Sequence, residues 1–247
     1  MKERIYSPVV ELRQYTLHPG RRDELIELFD REFVETQEAV GIQVIGQFCD
    51  LDDPNRFVWL RGFNDMPARE QSLTAFYSGP VWKAHRDAAN ATMIDSDNVL
   101  LLRLVHPASG FSLDGHRPPP GSRTQQAGFV TATIFSFNRP VDTDFIKYFE
   151  GTIHPILMET DCRLLAYFVT EDSPNTFPRL PVREGEQVFV WFAGFHSQDD
   201  YERHLAALTR STIWSQEISK YLKRRLIRKP DVLRLTPTPR SRLTGGP

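Results

Sequence analysis

Hydrophobic and polar residues alternate in the same way in two segments of the chain that lie far apart in sequence. Residues 56–63 read Arg-Phe-Val-Trp-Leu-Arg-Gly-Phe, and residues 188–195 read Val-Phe-Val-Trp-Phe-Ala-Gly-Phe. A period of two is typical of a β-strand whose two faces are used differently. Because both segments run into a turn and then a helical pattern, we interpret the chain as a tandem repeat.

The first half predicts the element order β-α-β-β-α-β. Alternating or strongly apolar runs predict strands at residues 9–17, 42–51, 56–63 and 98–105. Apolar residues three and four positions apart predict a helix at 21–40, which Gly41 ends, and a helical region in two pieces at 66–77 and 80–94. This order is that of a split, ferredoxin-like unit.

The same order returns after a proline-rich segment. Residues 107–127 include three consecutive prolines at 118–120 and predict a semi-rigid linker. Strands are then predicted at 129–137, 163–170, 188–195 and 231–235, and helices at 141–160, 199–208 and 212–226. The predicted domains are therefore residues 8–106 and 128–236, followed by a flexible tail at 237–247.

Matching the two halves reveals one insertion. Early positions correspond at an offset of 120 residues, as for Leu25 and Phe145, whereas later positions correspond at 132, as for Trp59 and Trp191. The second hairpin therefore carries about a dozen extra residues, which we place at 171–186. This segment is either a tolerated surface insertion or a flap over the mouth of a cavity.

A single split sheet of four strands covers one face with its own helices and leaves the other face bare. Two such sheets in one chain can cover each other by closing face to face into a barrel with the helices outside. The predicted fold class is therefore α+β, with two tandem ferredoxin-like (βαββαβ) halves that form an α+β barrel.

Composition changes this picture little. With 40% hydrophobic residues, 25% charged residues and a net charge of -2, the chain is ordinary and globular, and neither nucleic acid nor membrane is expected as a partner. The basic run at 220–229 is interpreted as a solvated helix end, with a nucleic-acid patch as the alternative. Cys49 and Cys162 predict reduced thiols rather than a disulfide or metal site. Without an apolar span or an opening signal region, a cytoplasmic location is expected.

Three segments of the first half resemble the NIPSNAP family. They are Glu-Leu-Arg-Gln-Tyr-Thr-Leu-His-Pro-Gly at 11–20, Phe-Val-Trp-Leu-Arg-Gly-Phe at 57–63, and Trp-Lys-Ala-His-Arg at 82–86 leading to Asn-Val-Leu-Leu-Leu-Arg at 98–103. The second half shares the strand and tryptophan positions but has Ala-Thr-Ile-Phe at 132–135 in place of the first motif. The resemblance implies the dimeric α+β barrel superfamily, which also contains small monooxygenases and haem proteins, and it specifies fold more than activity.

One face of the first and third strands carries the candidate binding residues. The opposite face of these strands has smaller apolar residues suited to packing under helices. We therefore expect the face that carries the candidate residues to line the barrel. Its members are Glu11, Arg13, Tyr15, Trp59 and Arg61, and the equivalent residues of the second half are Thr131, Thr133, Phe135, Trp191 and Ala193. Because the second set lacks charges, a pocket is predicted in the first half only. A buried ion pair of Glu11 with an arginine is the purely structural alternative.

His85 is a candidate catalytic base. It shares a helical stripe with Trp82, Ala89 and Met93, so its imidazole should point inward beside the tryptophan. A hydrogen-bonded packing residue is the alternative for His85 and also for His154 in the second half. Neither histidine belongs to a metal-ligand motif, and no metal is predicted.

The leading hypothesis is a NIPSNAP-like barrel that binds a small aromatic or carboxylate-bearing metabolite and needs no cofactor. Arg13 and Arg61 would counter its charge, Tyr15 would donate a hydrogen bond, and Trp59 and Trp82 would form walls. If the chain is an enzyme, the resemblance implies cofactor-independent oxygenation or isomerisation, with His85 or Glu11 as base. The alternatives are a non-enzymatic interaction module or a haem-binding module, and a homodimer is left open.

Overall fold

The computed structural model describes residues 7–113 and 117–246, so the first six residues and residues 114–116 of the expected linker lie outside it. The expectation that no signal region opens the sequence falls on the first of these segments. The eight strands are β1 (Val9–Leu17), β2 (Gln43–Asp50), β3 (Arg56–Phe63), β4 (Met93–Leu104), β5 (Phe129–Phe137), β6 (Arg163–Thr170), β7 (Gln187–Phe195) and β8 (Asp231–Pro237).

The helices follow the same order in both halves. Helix α1 consists of Arg22–Leu28, a π-helical turn at Phe29–Phe33 and Val34–Glu38, and α4 repeats this arrangement with Thr143–Tyr148, Phe149–Ile153 and His154–Met158. The others are α2 (Met66–Ser78), α3 (Pro80–Asn90), α5 (Gln198–Arg210) and α6, a π-helical turn at Ile213–Ile218 that continues as Ser219–Arg225. Asp65 and Ser197 cap α2 and α5 by accepting backbone N–H bonds from Ala68 and Asp200.

The strands form a closed antiparallel barrel in the order β1-β3-β2-β8-β5-β7-β6-β4. Each half contributes four neighbouring strands, and the halves join where β2 pairs with β8 and β4 pairs with β6. The registers match as well, because Arg13 lies opposite Trp59 in the first half and Thr133 lies opposite Trp191 in the second. The predicted α+β class and the closed barrel are confirmed.

The barrel interior is filled by apolar side chains from both halves. Its members include Val10, Leu12, Val58, Leu60, Val130, Ala132, Val190, Phe192, Leu233 and Leu235. The face that carries Glu11, Arg13, Tyr15, Trp59 and Arg61 is therefore the outer face, beneath the helices, and the prediction that it lines the barrel was wrong. Two sheet faces that meet in a barrel exclude charged side chains, whereas the layer between sheet and helices accommodates long polar ones.

The linker and the tail pack against the barrel. Phe111 of the linker and Leu243 of the tail belong to the interior cluster, and Arg240 is buried. The tail passes so close to Gly194 on β7 that a Cβ there would lie 2.6 Å from the carbonyl oxygen of Gly245. Residues 238–246 are thus a packed segment rather than the expected flexible tail. Their polar composition hid this, because backbone groups and arginines make many of the contacts.

Candidate functional site

Glu11 lies at the centre of three arginines on the outer face of the first-half sheet. Its Oε2 accepts hydrogen bonds from Nη1 of Arg13 at 2.5 Å and from Nε of Arg61 at 2.8 Å. Its Oε1 accepts a hydrogen bond from Nε of Arg69, on α2, at 2.6 Å. All four side chains are fully buried. We call these four residues the arginine cluster.

The arginine cluster carries more positive than negative charge. Burial alone would raise the pKa of Glu11, but Arg61, Arg13 and Arg69 outweigh it and hold this pKa well below its usual range. Burial lowers the pKa of Arg69, yet a guanidinium stays protonated in proteins. Within the described part of the chain, no second carboxylate lies within 4.0 Å of these guanidinium groups. Two buried positive charges therefore lack a paired anion, which is costly for folding.

Neighbouring polar groups fix two of the arginines. Nε of Arg13 donates a hydrogen bond to the hydroxyl of Tyr15 at 3.0 Å. Nη1 of Arg61 donates weaker bonds to Oε1 of Gln37 at 3.4 Å and to the hydroxyl of Tyr77 at 3.5 Å. The guanidinium groups are thus held in one arrangement by side chains from β1, α1 and α2.

Other donors in the same region are not satisfied. Nη2 of Arg61 lies 2.7 Å from Oε2 of Glu11 without the geometry of a hydrogen bond. Nη2 of Arg69 and the indole Nε1 of Trp59 are also buried, and neither has a hydrogen-bonding partner among the residues described. Buried donors without acceptors are uncommon in folded proteins, and here they adjoin the excess positive charge. Together they are suited to the oxygens of an anion.

A small cavity lies beside the cluster, between the sheet and the helices. Its volume is about 30 Å³, enough for one or two water molecules. Polar edges come from Tyr15, Gln37 and Tyr77, and the remaining wall is apolar, with Phe29, Phe33, Trp59, Phe76, Trp82 and Met93 among its members. The guanidinium of Arg61 lies over the Trp59 ring, 5.1 Å from its centroid. An aromatic ligand would need the wall to move.

The inserted segment of the second half covers this region of the first half. Residues 171–186, which we call the cover loop, run beside β4. Asn175 Oδ1 and Thr176 Oγ1 accept hydrogen bonds from Nη1 of Arg69 at 3.0 and 3.2 Å. Phe177 stacks on Tyr77 with 5.7 Å between ring centroids. The insertion therefore packs against the other half of the chain, and its role as a flap over a cavity mouth stays a prediction.

The equivalent outer layer of the second half is apolar. Thr131 lies opposite Ala193 where Glu11 lies opposite Arg61. At the position equivalent to Arg69, Tyr201 packs on Phe129 and Phe195, each with 5.2 Å between ring centroids. The indole Nε1 of Trp191 is again buried without a partner among the described atoms. The second half thus keeps the aromatic frame and lacks the charged cluster.

The structure places most, but not all, of the predicted site residues together. Glu11, Arg13, Tyr15, Trp59 and Arg61 meet as described, and Trp82 lines the cavity. His85 does not: its side chain is 33% exposed and its Nε2 lies 3.4 Å from Oε2 of Glu32, so the expectation that it points inward was wrong. From α3, Trp82 and Ala89 line the cavity, and Met93 at the start of β4 adds to its wall, so His85 is left at the rim.

Sequence reasoning missed Arg69 and the cover-loop residues. Arg69 was not singled out, although it stands at helical spacing with Met66, Leu73 and Phe76, all buried. That spacing was the available signal for an inward arginine. The contact between Arg69 and the loop 106 residues later has no local signal.

Haem does not fit this site. A cavity of about 30 Å³ cannot hold a porphyrin, and the nearest candidate axial ligand, His85, faces Glu32 instead. The residues described contain no group of three His, Cys, Asp or Glu side chains arranged to hold a metal ion. Among the helices described, none combines the length and apolar character needed to cross a bilayer.

The geometry can now be compared with known proteins. Residues 10–107 match the model of the NIPSNAP family. The first half is a NIPSNAP domain. The whole arginine cluster lies within this NIPSNAP domain, whereas the cover loop that contacts Arg69 comes from the other half. No curated protein shows significant sequence similarity to the chain.

Solved structures extend the similarity to both halves. A proposed monooxygenase from Fusobacterium nucleatum is 12% identical with a TM-score of 0.57, and the match covers 95% of this chain and 94% of that one. A proposed monooxygenase from Lactobacillus acidophilus is 13% identical with a TM-score of 0.54 over 94% of each chain. An anthrone oxidase-like protein is 13% identical with a TM-score of 0.53, covering 93% of this chain and 91% of that one. These identities establish a shared fold and nothing about activity.

Proposed function

We propose that the NIPSNAP domain binds a small anionic molecule, aromatic or carboxylate-bearing, at the arginine cluster. The observation that carries this proposal is a buried group of three arginines with a single carboxylate among them. Such an arrangement is costly for folding unless a further anion completes it. In the same proposal the two halves are ferredoxin-like units, and the second serves as a structural partner and a cover.

The residues have distinct roles in this proposal. Arg61 and Arg69 supply the N–H groups that bind the anion, and Arg13 with Glu11 holds them in position. Tyr15 contributes its hydroxyl, while Trp59 and Trp82 provide aromatic walls for the rest of the molecule. Glu11 is a positioning residue, because a carboxylate that accepts bonds from three arginines is a weak proton acceptor.

Ligand entry requires the cover loop and the cavity wall to move. Tyr77 and Trp82 are partly exposed, and Phe177 stacks on the outer side of Tyr77. Displacement of Phe177 would free Tyr77, and loss of the bonds to Asn175 and Thr176 would free Nη1 of Arg69 for the ligand. The closed state excludes water, which strengthens charge-assisted hydrogen bonds.

A cofactor-independent oxygenase or isomerase is the second candidate. It is favoured by the fold likeness to two proposed monooxygenases and to an anthrone oxidase-like protein. In that case the bound anion would be the reacting molecule, and His85 would act as base after closing inward from the rim. The cytoplasmic location, the homodimer and the domain boundaries stay predictions.

Calorimetric titration with benzoate tests the binding proposal. Arg69→Met is expected to weaken benzoate binding by at least about tenfold, because one charge-assisted contact and one unpaired donor are removed. The control is Arg139→Met, which removes an arginine exposed on the second half. Equal affinity in both variants, or equal binding of neutral benzyl alcohol, would contradict the proposal.

A further inference from the structure

A second, larger cleft lies outside the barrel, next to α1. Its volume is about 650 Å³. One wall is the outer side of α1, with Ile26 and Asp30, and Cys49 on β2 forms part of the floor. The opposite wall comes from the linker, with Arg123, and from the tail, with Pro239. One side of the cleft is thus formed by the linker and the tail, which lie outside both repeats. The cleft is separate from the arginine cluster.

A chain of hydrogen bonds fixes the Asp30 carboxyl at this cleft. Nη1 of Arg117 donates to Oε1 of Gln47 at 3.1 Å, and Nε2 of Gln47 donates to Oδ1 of Asp30 at 2.9 Å. Gln47 is fully buried, and the backbone carbonyl of Asp30 accepts a bond from Arg240. Oδ2 of Asp30 accepts no hydrogen bond from any described residue and is left for a ligand.

The equivalent acid of the second half is held by two neighbours on one of its oxygens. Glu150 occupies the same position in the π-helical turn of α4 that Asp30 occupies in α1. Its Oε1 accepts a hydrogen bond from the Tyr167 hydroxyl at 2.9 Å and lies 3.0 Å from Nε2 of His106. Tyr167 replaces Gln47, and His106 contacts the same oxygen as Tyr167. Asp30 and not Glu150 lines the cleft, so the combination of this carboxyl with an open cleft belongs to the first half.

Three of the arginines around Asp30 are already paired with other acids. Arg117 contacts Glu38 at 2.8 Å, Arg240 contacts Glu35, and Arg31 contacts Glu32 at 2.8 Å. Asp23 and Glu27 lie on the same wall, and Arg123 faces them from the linker. Burial raises the pKa of Asp30 to about 6, although Arg240 and Arg117 oppose the shift, so the carboxyl is mainly ionised above neutral pH.

We propose that this cleft binds a small organic amine. The ammonium group would bind the free oxygen of Asp30, and its apolar part would pack between Ile26 and Pro239. A carboxylate with one oxygen fixed and one free offers a directed acceptor to an N–H donor, and the flanking apolar side chains exclude water around the pair. This site is independent of the anion bound at the arginine cluster.

Benzylamine, with benzyl alcohol as the neutral counterpart, tests this site by calorimetric titration of the full chain at pH 8. Asp30→Asn is expected to weaken benzylamine binding by at least about tenfold, since the ion pair is lost, and Glu150→Gln is expected to leave it unchanged. Benzoate binding should be the same in all three proteins. Equal benzylamine affinity in wild type and Asp30→Asn, or equal binding of benzyl alcohol, would overturn the proposal.

Thiol modification locates the bound amine without any substitution. Cys49 is partly exposed in the cleft, whereas Cys162 is buried in the second half. Benzylamine is expected to slow alkylation of Cys49 by iodoacetamide several-fold and to leave Cys162 unaffected. An alkylation rate of Cys49 that saturating benzylamine does not change would also overturn the proposal.

Discussion

The two halves share a barrel and differ in the layer between sheet and helices. Both use apolar side chains toward the barrel axis, and both place a tryptophan at the same register, Trp59 and Trp191. In the outer layer the first half has three arginines around Glu11, whereas the second has Thr131, Ala193 and Tyr201. The second half shows that this architecture does not require the charges. Their presence in the first half therefore calls for a function.

Glu11→Gln is expected to give the largest difference in stability loss between the two halves. Removing the carboxylate that all three buried arginines contact is expected to lower the free energy of unfolding by about 3–5 kcal/mol. The matched change in the second half, Thr131→Val, should cost less than about 1 kcal/mol because no charge depends on it. Urea denaturation of both variants measures the difference. Similar losses in the two halves would show that the cluster is no more than ordinary packing.

Truncation of the Phe177 side chain in the cover loop should have the next largest effect on stability. Phe177→Ala removes the ring stacked on Tyr77 and is expected to cost about 2–3 kcal/mol, with faster amide exchange on the outer side of α2. Pro54→Ala, in the short turn of the first half that corresponds to the cover loop, is the control. An exchange pattern that does not change on α2 would argue that the loop is a passive insertion.

Asp30 and Glu150, the acids in the two π-helical turns, are expected to differ in a smaller effect, the dependence of stability on pH. The pKa of Asp30 is about 6 in the folded protein and 3.8 ordinarily. The folded state therefore favours the protonated form, so this contribution to stability is present below pH 4 and is lost as pH rises through 6. Relative to wild type, Asp30→Asn should gain about 1–2 kcal/mol in the free energy of unfolding between pH 4 and pH 7.

Denaturation curves of wild type, Asp30→Asn and Glu150→Gln at several pH values measure this contrast. The expected sign of the change in the free energy of unfolding with pH is specific. An acid whose pKa is lowered by folding would give a change of the opposite sign. A stability difference between wild type and Asp30→Asn that stays constant from pH 4 to pH 7 would contradict the assignment.

The fold could be predicted because the same order of strands and helices occurs in both halves of the sequence. The strand at 56–63 and its copy at 188–195 fixed the register of both halves, and closure into a barrel followed from the need to cover two bare sheet faces. Boundaries were less secure. β4 begins at Met93 rather than at residue 98. The start of this strand contains polar residues such as Asp95 and Asp97, so the apolar run alone does not reveal it.

The composition of the site was predictable, but its location was not. Alternation correctly grouped Glu11, Arg13, Tyr15, Trp59 and Arg61, yet it cannot say which face of a strand is the inner one when both faces are buried. Branched apolar residues such as Val10 and Leu12 suit a barrel interior as well as a helix interface. Arg69, Asn175 and Thr176 enter the site through tertiary contacts far apart in sequence, for which the pattern contains no information.

The most direct test is a benzoate titration followed by the indole N–H resonances of Trp59 and Trp191. These two groups occupy equivalent positions, and both are buried without a hydrogen-bonding partner among the described residues. The account predicts one saturable site per chain, with a shift of the Trp59 signal, no shift of the Trp191 signal, and loss of the response in Arg69→Met. Equal shifts of both signals, or a response that survives in Arg69→Met, would contradict an anion site confined to the NIPSNAP domain.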